Sequence, residues 1–314
     1  MPRPISRRAL LARLAALGGL AFLGLAGAGY ATAVEPRRLR LTRHRLIPPA
    51  WPPGRRLRLA LLADLHANAR NMGETDIRSV VAQTNALDPD LVLLLGDYCS
   101  QDRGALTPEA VAGLLGGLRA RSGTYAVLGN HDWWDERRRG EDGRAPTRTH
   151  RAFAAAGIPV LENAAVPVPG LPGLWVAGIE SEAAPWAAGR RHGPPDPDRH
   201  RAERLAATLA FVPTEDLALL LAHEPDVFAD IRDPRVALVA SGHTHGGQVR
   251  LFGWSPWIPS RYGLRYAYGH VVETGRHLVV SAGLGSHFVA GMPLRVGIPP
   301  EIVLVEIGDG PAGV

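Results

Sequence analysis

Five apolar runs in this chain each end at once in a carboxylate, amide or imidazole side chain. Arg58-Leu-Ala-Leu-Leu-Ala stops at Asp64-Leu65-His66, and Leu91-Val-Leu-Leu-Leu stops at Gly96-Asp97. Tyr125-Ala-Val-Leu stops at Gly129-Asn130-His131-Asp132, and Leu217-Ala-Leu-Leu-Leu-Ala at His223. Val236-Ala-Leu-Val-Ala stops at Ser241-Gly242-His243-Thr244-His245-Gly246-Gly247. Short apolar runs bounded by turn residues are the pattern of buried strands. In open α/β sheets, sites form beyond the carboxyl ends of strands, so these five ends can converge on one site.

The rest of the chain fits that frame. Strands are expected at 57–63, 90–95, 123–128, 158–161, 173–179, 217–222, 236–241, 277–282 and 302–307, and helices at 74–87, 107–120, 147–156 and 199–210. Gly/Pro-rich stretches near 167–173 and 183–198 are expected loops. Alternation of strands and helices gives an α/β class. With 314 residues, 46% apolar and 21% charged, the chain has material for one or two globular domains and is neither disordered nor collagen-like.

Charge is unevenly placed. All 35 basic residues are Arg; residues 1–58 hold 12 of them against the single acid Glu35, and residues 59–314 hold 23 against 29 acids. The body is therefore mildly acidic, which argues against a phosphate-backbone groove and makes nucleic acid an unlikely partner. The lone Cys99 excludes an internal disulfide, and its expected role is that of a small buried hydrophobe.

Arg3, Arg7, Arg8 and Arg13 precede a 20-residue apolar or small-residue stretch, Leu14 to Ala33. This is the make-up of an export signal or membrane anchor over 1–33, with Ser6-Arg7-Arg8 similar to a twin-arginine signal and Ala31-Thr32-Ala33 a small-x-small cleavage site. The expected location is exported or anchored on the outer face of the cytoplasmic membrane. Residues 34–56, rich in Arg and Pro, are expected to be a linker able to lie on anionic headgroups. The main domain is expected at 57–308, with a tail at 309–314.

The donor spacings suit metal ligation. Alternate residues of an extended chain project to the same side, so Asp64 and His66 can share one ion, and His243 and His245 can face one site. Gly96, Gly129 and Gly242 allow close backbone approach. Carboxylate, amide and imidazole together suit Mn, Fe or Zn better than Mg or Ca. Adjacent residues on an extended chain diverge, so His131 cannot easily share one ion with Asn130. Asp132 is expected to be a helix cap or turn residue.

At these residues the chain resembles the calcineurin-like metallophosphoesterases. The matching blocks are Asp64-x-His66, Gly96-Asp97, Gly129-Asn130-His131-Asp132, His223 and Gly242-His243-Thr244-His245, with the tail Gly283-Leu-Gly285…Pro293-Leu-Arg295…Pro300-Glu301-Ile302 similar to a membrane-associated or exported bacterial phosphodiesterase subgroup. The resemblance implies a four-layer α/β/β/α sandwich of two mixed sheets with a dimetal site at the strand ends. It implies one divalent ion on Asp64, His66 and His245, a second on Asn130, His223 and His243, Asp97 between them, and His131 at the phosphate. It also implies hydrolysis of a phosphodiester or pyrophosphate by a metal-activated hydroxide, with a nucleotide or lipid-linked envelope compound as substrate. The segments 181–198 and 286–291 depart from the family's pattern and bear on substrate shape.

After the His-x-His block, Phe252-Gly-Trp254-Ser-Pro-Trp257-Ile-Pro-Ser-Arg261-Tyr262 is an expected loop. Its aromatics can stack on a base, pack acyl chains or merely pack the loop, and Arg261 can meet a phosphate. Trp133-Trp134 carries the same alternatives, and Arg137-Arg138-Arg139 is expected to be a solvated face. Two competing functions are a phosphomonoesterase on the same centre and an anchored binding module with an inactive metal site.

Overall fold

Successive residues of each apolar strand face opposite layers, and both layers are apolar. In β2 (Leu57–Leu62), Leu59 and Leu61 enter one buried cluster while Ala60 and Leu62 enter another. In β7 (Leu217–Leu221), Leu219 and Leu221 share the cluster of Leu59 and Leu61, and Ala218 and Leu220 face a third. The shared cluster lies between two sheets, and the other two lie under helices, which gives an α/β/β/α sandwich. The computed structural model describes residues 7–8, 13, 24–138, 146–184 and 196–308.

In the first sheet, β2, β3 (Leu91–Leu94) and β4 (Thr124–Ala126) run parallel. On the other side of β2, β13 (Glu301–Ile307) is antiparallel and is flanked by the parallel edge strand β1 (Arg40–Leu46). The second sheet has the order β5 (Ala164–Pro167), β6 (Leu174–Gly178), β7, β8 (Val236–Ser241), β10 (Arg276–Val280), β9 (Gly269–Glu273). Its four central strands are parallel, and both edges are antiparallel.

Helices α1 (Glu74–Ala86), α2 (Pro108–Leu115) and α4 (Arg148–Ala155) cover the first sheet with Ile77, Val80, Val111, Leu115 and Phe153. Helix α5 (Pro197–Leu209) covers the second with Leu205 and Leu209. Thr107 and Asp196 start α2 and α5 by accepting the third residue's N–H, and Pro108 and Pro197 follow them at the first helical position. Helix α3 (Asn130–Arg138) lies at the strand ends instead.

The structure corrects three expectations. The span 34–56 is not a linker throughout, because β1 lies within it. That strand is the polar edge of its sheet: Arg45 pairs with Glu306 at 3.0 Å, and Arg40 meets the buried Glu301 at 3.3 Å. Arginines take the place of an apolar alternation there, as edge strands allow. The run 158–161 makes only a single bridge, Val160 to Ala126, before the chain turns through the left-handed Asn163 into β5. Helix α3 lies outside the expected helices, because its first turn consists of site residues rather than an apolar stripe.

Residues 24–29 are helical and pass through a π turn (Tyr30–Val34) and a 3-10 turn (Glu35–Arg37). The carbonyl of buried Ala31, in the expected cleavage site, accepts the Arg295 amide at 3.0 Å. Among the described residues, no helix is long and apolar enough to cross a membrane. Most of the expected export segment, the side chains of Arg137–Arg139 and the tail 309–314 lie outside what is described.

Candidate metal centre

The two sheets meet at the carboxyl ends of β2, β3 and β4 on one side and β7, β8 and β10 on the other. Backbone bonds lace the loops together. The Asp64 amide donates to Gly96 O at 3.0 Å, the His66 amide to Asp97 O at 3.0 Å, and the Gly285 amide to Asp64 O at 2.7 Å. The His243 amide donates to the Asp64 carboxylate at 3.0 Å. The space is tight enough to require glycine: a Cβ at Gly129 would fall 2.2 Å from Asp97 Oδ1, and one at Gly242 would fall 2.4 Å from Asp64 Oδ2.

These loops bring all eight expected metal-ligating and catalytic residues together. Asp97 occupies the middle. Its Oδ1 accepts the His131 amide at 2.8 Å, and its Oδ2 faces His66 Nε2 at 3.6 Å and His223 Nε2 at 3.3 Å. On one side, His66 Nε2 and His245 Nε2 lie 3.0 Å apart, and His245 Nε2 lies 3.6 Å from Asp64 Oδ1. On the other, Asn130 Oδ1 sits 3.1 Å from His223 Nε2 and 2.8 Å from His243 Nδ1. His223 Nδ1 lies 2.7 Å from Leu95 O, a carbonyl that can only accept, so Nδ1 carries a proton and Nε2 is the nitrogen turned inward toward Asp97 and Asn130.

Asp64, His66, Asp97, His243 and His245 hold left-handed backbone, at φ 51°, 41°, 58°, 69° and 50°. Such positions cost roughly 1–3 kcal/mol each and persist where the surroundings over-determine them.

Burial sets the electrostatics. It pushes the Asp64 carboxyl up to about 7, with Asp97 adding to the rise. Burial, then neighbouring imidazoles, holds His66 and His245 well below the ordinary imidazole value. Burial opposes charge on both His223 and Asp97, but their mutual attraction prevails: His223 is held well above its usual value and Asp97 well below. Lone pairs of carboxylate, amide and imidazole therefore point at one another in two adjoining clusters. Only a proton or a cation relieves that arrangement, and the O/N donor set suits divalent transition metals. Asp97 belongs to both clusters, so two cations fit around it.

Four further residues shape the centre. Asp132, expected as a cap, does accept the Gly129 amide at 2.9 Å. It also accepts the amides of Asp97 at 2.8 Å and Tyr98 at 2.9 Å, binding the β3 loop to the start of α3. Burial, then Asp97, pushes its carboxyl up to about 7. Arg295 is fully buried and donates to the carbonyls of Ala282, Gly283, Gly285 and Ile298, and burial draws it down to about 10. Gln248 Oε1 accepts the His287 amide at 2.7 Å. The ring of His287 lies 4.6 Å from both His66 and His245, and burial, with His131 next, holds it down to about 4. Sequence reasoning missed His287, although it follows a sixth apolar run, because Gly283-Leu-Gly-Ser comes between run and donor.

Arg261 is engaged by Glu182, Asp198 and Asp226, so its charge is already balanced away from a phosphate. Trp254 stands on an exposed turn with Leu251, Phe252 and Trp257. Trp133 is buried, and Trp134 lies 5.1 Å from the His131 ring. Cys99 is buried, as expected.

The sequence pattern of calcineurin-like phosphoesterases matches residues 57–247. The chain is 29% identical to the uncharacterized metallophosphoesterase YkuE of Bacillus subtilis (strain 168), across 97% of this chain and 98% of that protein. It is 31% identical to the phosphodiesterase YaeI of Escherichia coli (strain K12), across 96% and 99%. A solved dimetal phosphatase from Danio rerio aligns with a TM-score of 0.44 and 14% identity, covering 74% of this chain and 89% of that one.

Proposed function

From the premise that this chain belongs to the calcineurin-like phosphoesterase family, we propose that it is a dimetal phosphodiesterase or pyrophosphatase acting on a nucleotide-type or lipid-linked envelope substrate. The observation that carries this reading is Asp97, whose carboxylate is shared by the His66 and His223 clusters. Mn, Fe or Zn are the cations this donor set favours.

Asp64, His66 and His245 would hold one cation, Asn130, His223 and His243 the other, and Asp97 both. Divalent cations bound there supply Lewis-acid activation of water and of phosphoryl oxygens. Leu95 O fixes the ring of His223, and Asp132 fixes the loop of Asp97. Asn130 contributes a neutral oxygen, so the centre keeps positive charge for a phosphate anion. His131 groups with His66 and Asp97, its ring 4.7 Å from that of His66. It contacts the phosphate and hands a proton to the leaving oxygen. The likeness to the phosphodiesterase YaeI supports a diester rather than a monoester as substrate. The exposed Leu251, Phe252, Trp254 and Trp257 suit an acyl chain or a membrane interface. The arginine-rich start and apolar stretch 14–33 support export or anchoring on the outer face of the cytoplasmic membrane.

The test uses the full chain in detergent, stripped of metal and reloaded with Mn²⁺, on bis-p-nitrophenyl phosphate and p-nitrophenyl phosphate. Metal-dependent turnover favouring the diester is expected, and Asn130→Ala or Asp97→Ala should lower it at least about 1000-fold with the fold retained. Monoester preference would move the assignment to a phosphatase. Full activity in either variant would remove the dimetal mechanism.

A further inference from the structure

We infer that His287 is a third imidazole ligand of the cation position formed by Asp64, His66 and His245, making that position rich in nitrogen. The inference rests on the dimetal reading above. One donor nitrogen from each of His66, His245 and His287 lies within 4.8 Å of the others. Metal–nitrogen bonds of about 2.0–2.1 Å place two ligands of one ion no more than about 4.2 Å apart, so small side-chain rotations bring all three onto a common ion. The His287 ring faces His66 at 50° and His245 at 55°, with both centroids at 4.6 Å.

The placement of His287 is built. Its amide donates to Gln248 Oε1 at 2.7 Å, and the Gln248 amide donates to His245 O at 3.0 Å, so one side chain ties the His287 segment to the His245 loop. On the side before His287, the buried Arg295 donates Nε to Gly285 O at 3.0 Å and to Ser286 Oγ at 3.2 Å. On the side after it, β11 (Phe288–Val289) and β12 (Met292–Pro293) close a hairpin through Ala290 and Gly291, at φ 50° and 77°. Two left-handed residues at the turn match the twist of the paired strands and fix their register. The Leu294 amide returns to His287 O at 3.3 Å.

The consequence is chemical asymmetry between the two cation positions. Three imidazoles with Asp64 and the shared Asp97 make one N₃O₂ set; His223, His243, Asn130 and the shared Asp97 make an N₂O₂ set. Imidazole favours Zn, Fe, Co and Ni over Mg and Mn, whereas oxygen donors favour the reverse. The His287 position would therefore take the transition metal first and release it last, and a mixed pair of ions becomes the expected loaded state.

Cobalt(II) is the probe. The full chain in detergent is stripped with a chelator and titrated with Co²⁺, following bound metal and the visible d–d bands, for wild type, His287→Ala and His287→Gln. We expect two ions in the wild type, with distinct affinities. In both variants the tighter one should weaken at least about 10–100-fold and its bands should shift, while the weaker one holds and serves as the control for folding. Two ions with unchanged affinities and bands in both variants would overturn the role of His287 alone. A wild type that takes up no cobalt would overturn the dimetal reading, and this inference with it.

Discussion

At the scale of single residues, His223 carries the clearest consequence. Without a cation it is held protonated beside Asp97, against the pull of burial. That elevated value stabilises the fold at pH below the ordinary imidazole range, and the contribution is lost as pH rises through the elevated value. A cation must displace this proton. Metal uptake near neutral pH is thus expected to release about one proton from His223, and affinity should rise with pH. Calorimetry in buffers of different ionisation enthalpy reads the proton count, and zero release would contradict this account. The donors themselves were legible in the sequence, because Asp64, His66, Asp97, Asn130, His223, His243 and His245 each lie just past the end of an apolar run. His287 was not, since only the tertiary path of the chain brings it near. At five of these positions two demands select the same side chains: Asp and His are hard or borderline donors, and they also tolerate left-handed backbone better than bulkier residues.

At the scale of elements, Asp132 decides how α3 meets the β3 loop. Its carboxylate satisfies the amides of Asp97, Tyr98 and Gly129. Asp132→Ala would leave three buried donors without it, and we expect a loss of about 2–4 kcal/mol in urea unfolding together with weaker metal binding. Asp132→Asn retains one acceptor oxygen and should lose less; equal stability of all three proteins would refute the role. Spacing made Asp132 legible as a cap, but the distance between positions 97 and 132 hid its second role. The same limit explains the missed strands. Apolar runs reveal β2, β3, β7 and β8, which are buried on both faces. They do not reveal β1, whose arginines face solvent at the edge of the sheet.

At the scale of the whole molecule, the loop after His245 presents large apolar side chains to solvent. Phe252 is fully exposed, Trp254 58% and Trp257 68%. Replacing all three with Ser is expected to weaken binding to anionic vesicles about 10-fold or more, with turnover of a small soluble diester unchanged. Vesicle co-sedimentation reads the first and the nitrophenyl assay the second; undiminished vesicle binding would assign the aromatics to some other role. The topology of the first sheet also carries a consequence in time. β2, which delivers Asp64, is flanked by β3 on one side and by β13 on the other. Along the chain, β13 follows every donor from Asp64 to His287. The strand that delivers Asp64 thus keeps one bare edge until residues 301–307 pair with it, so closure of the first sheet beside the metal centre waits on a segment far downstream of the donors it supports.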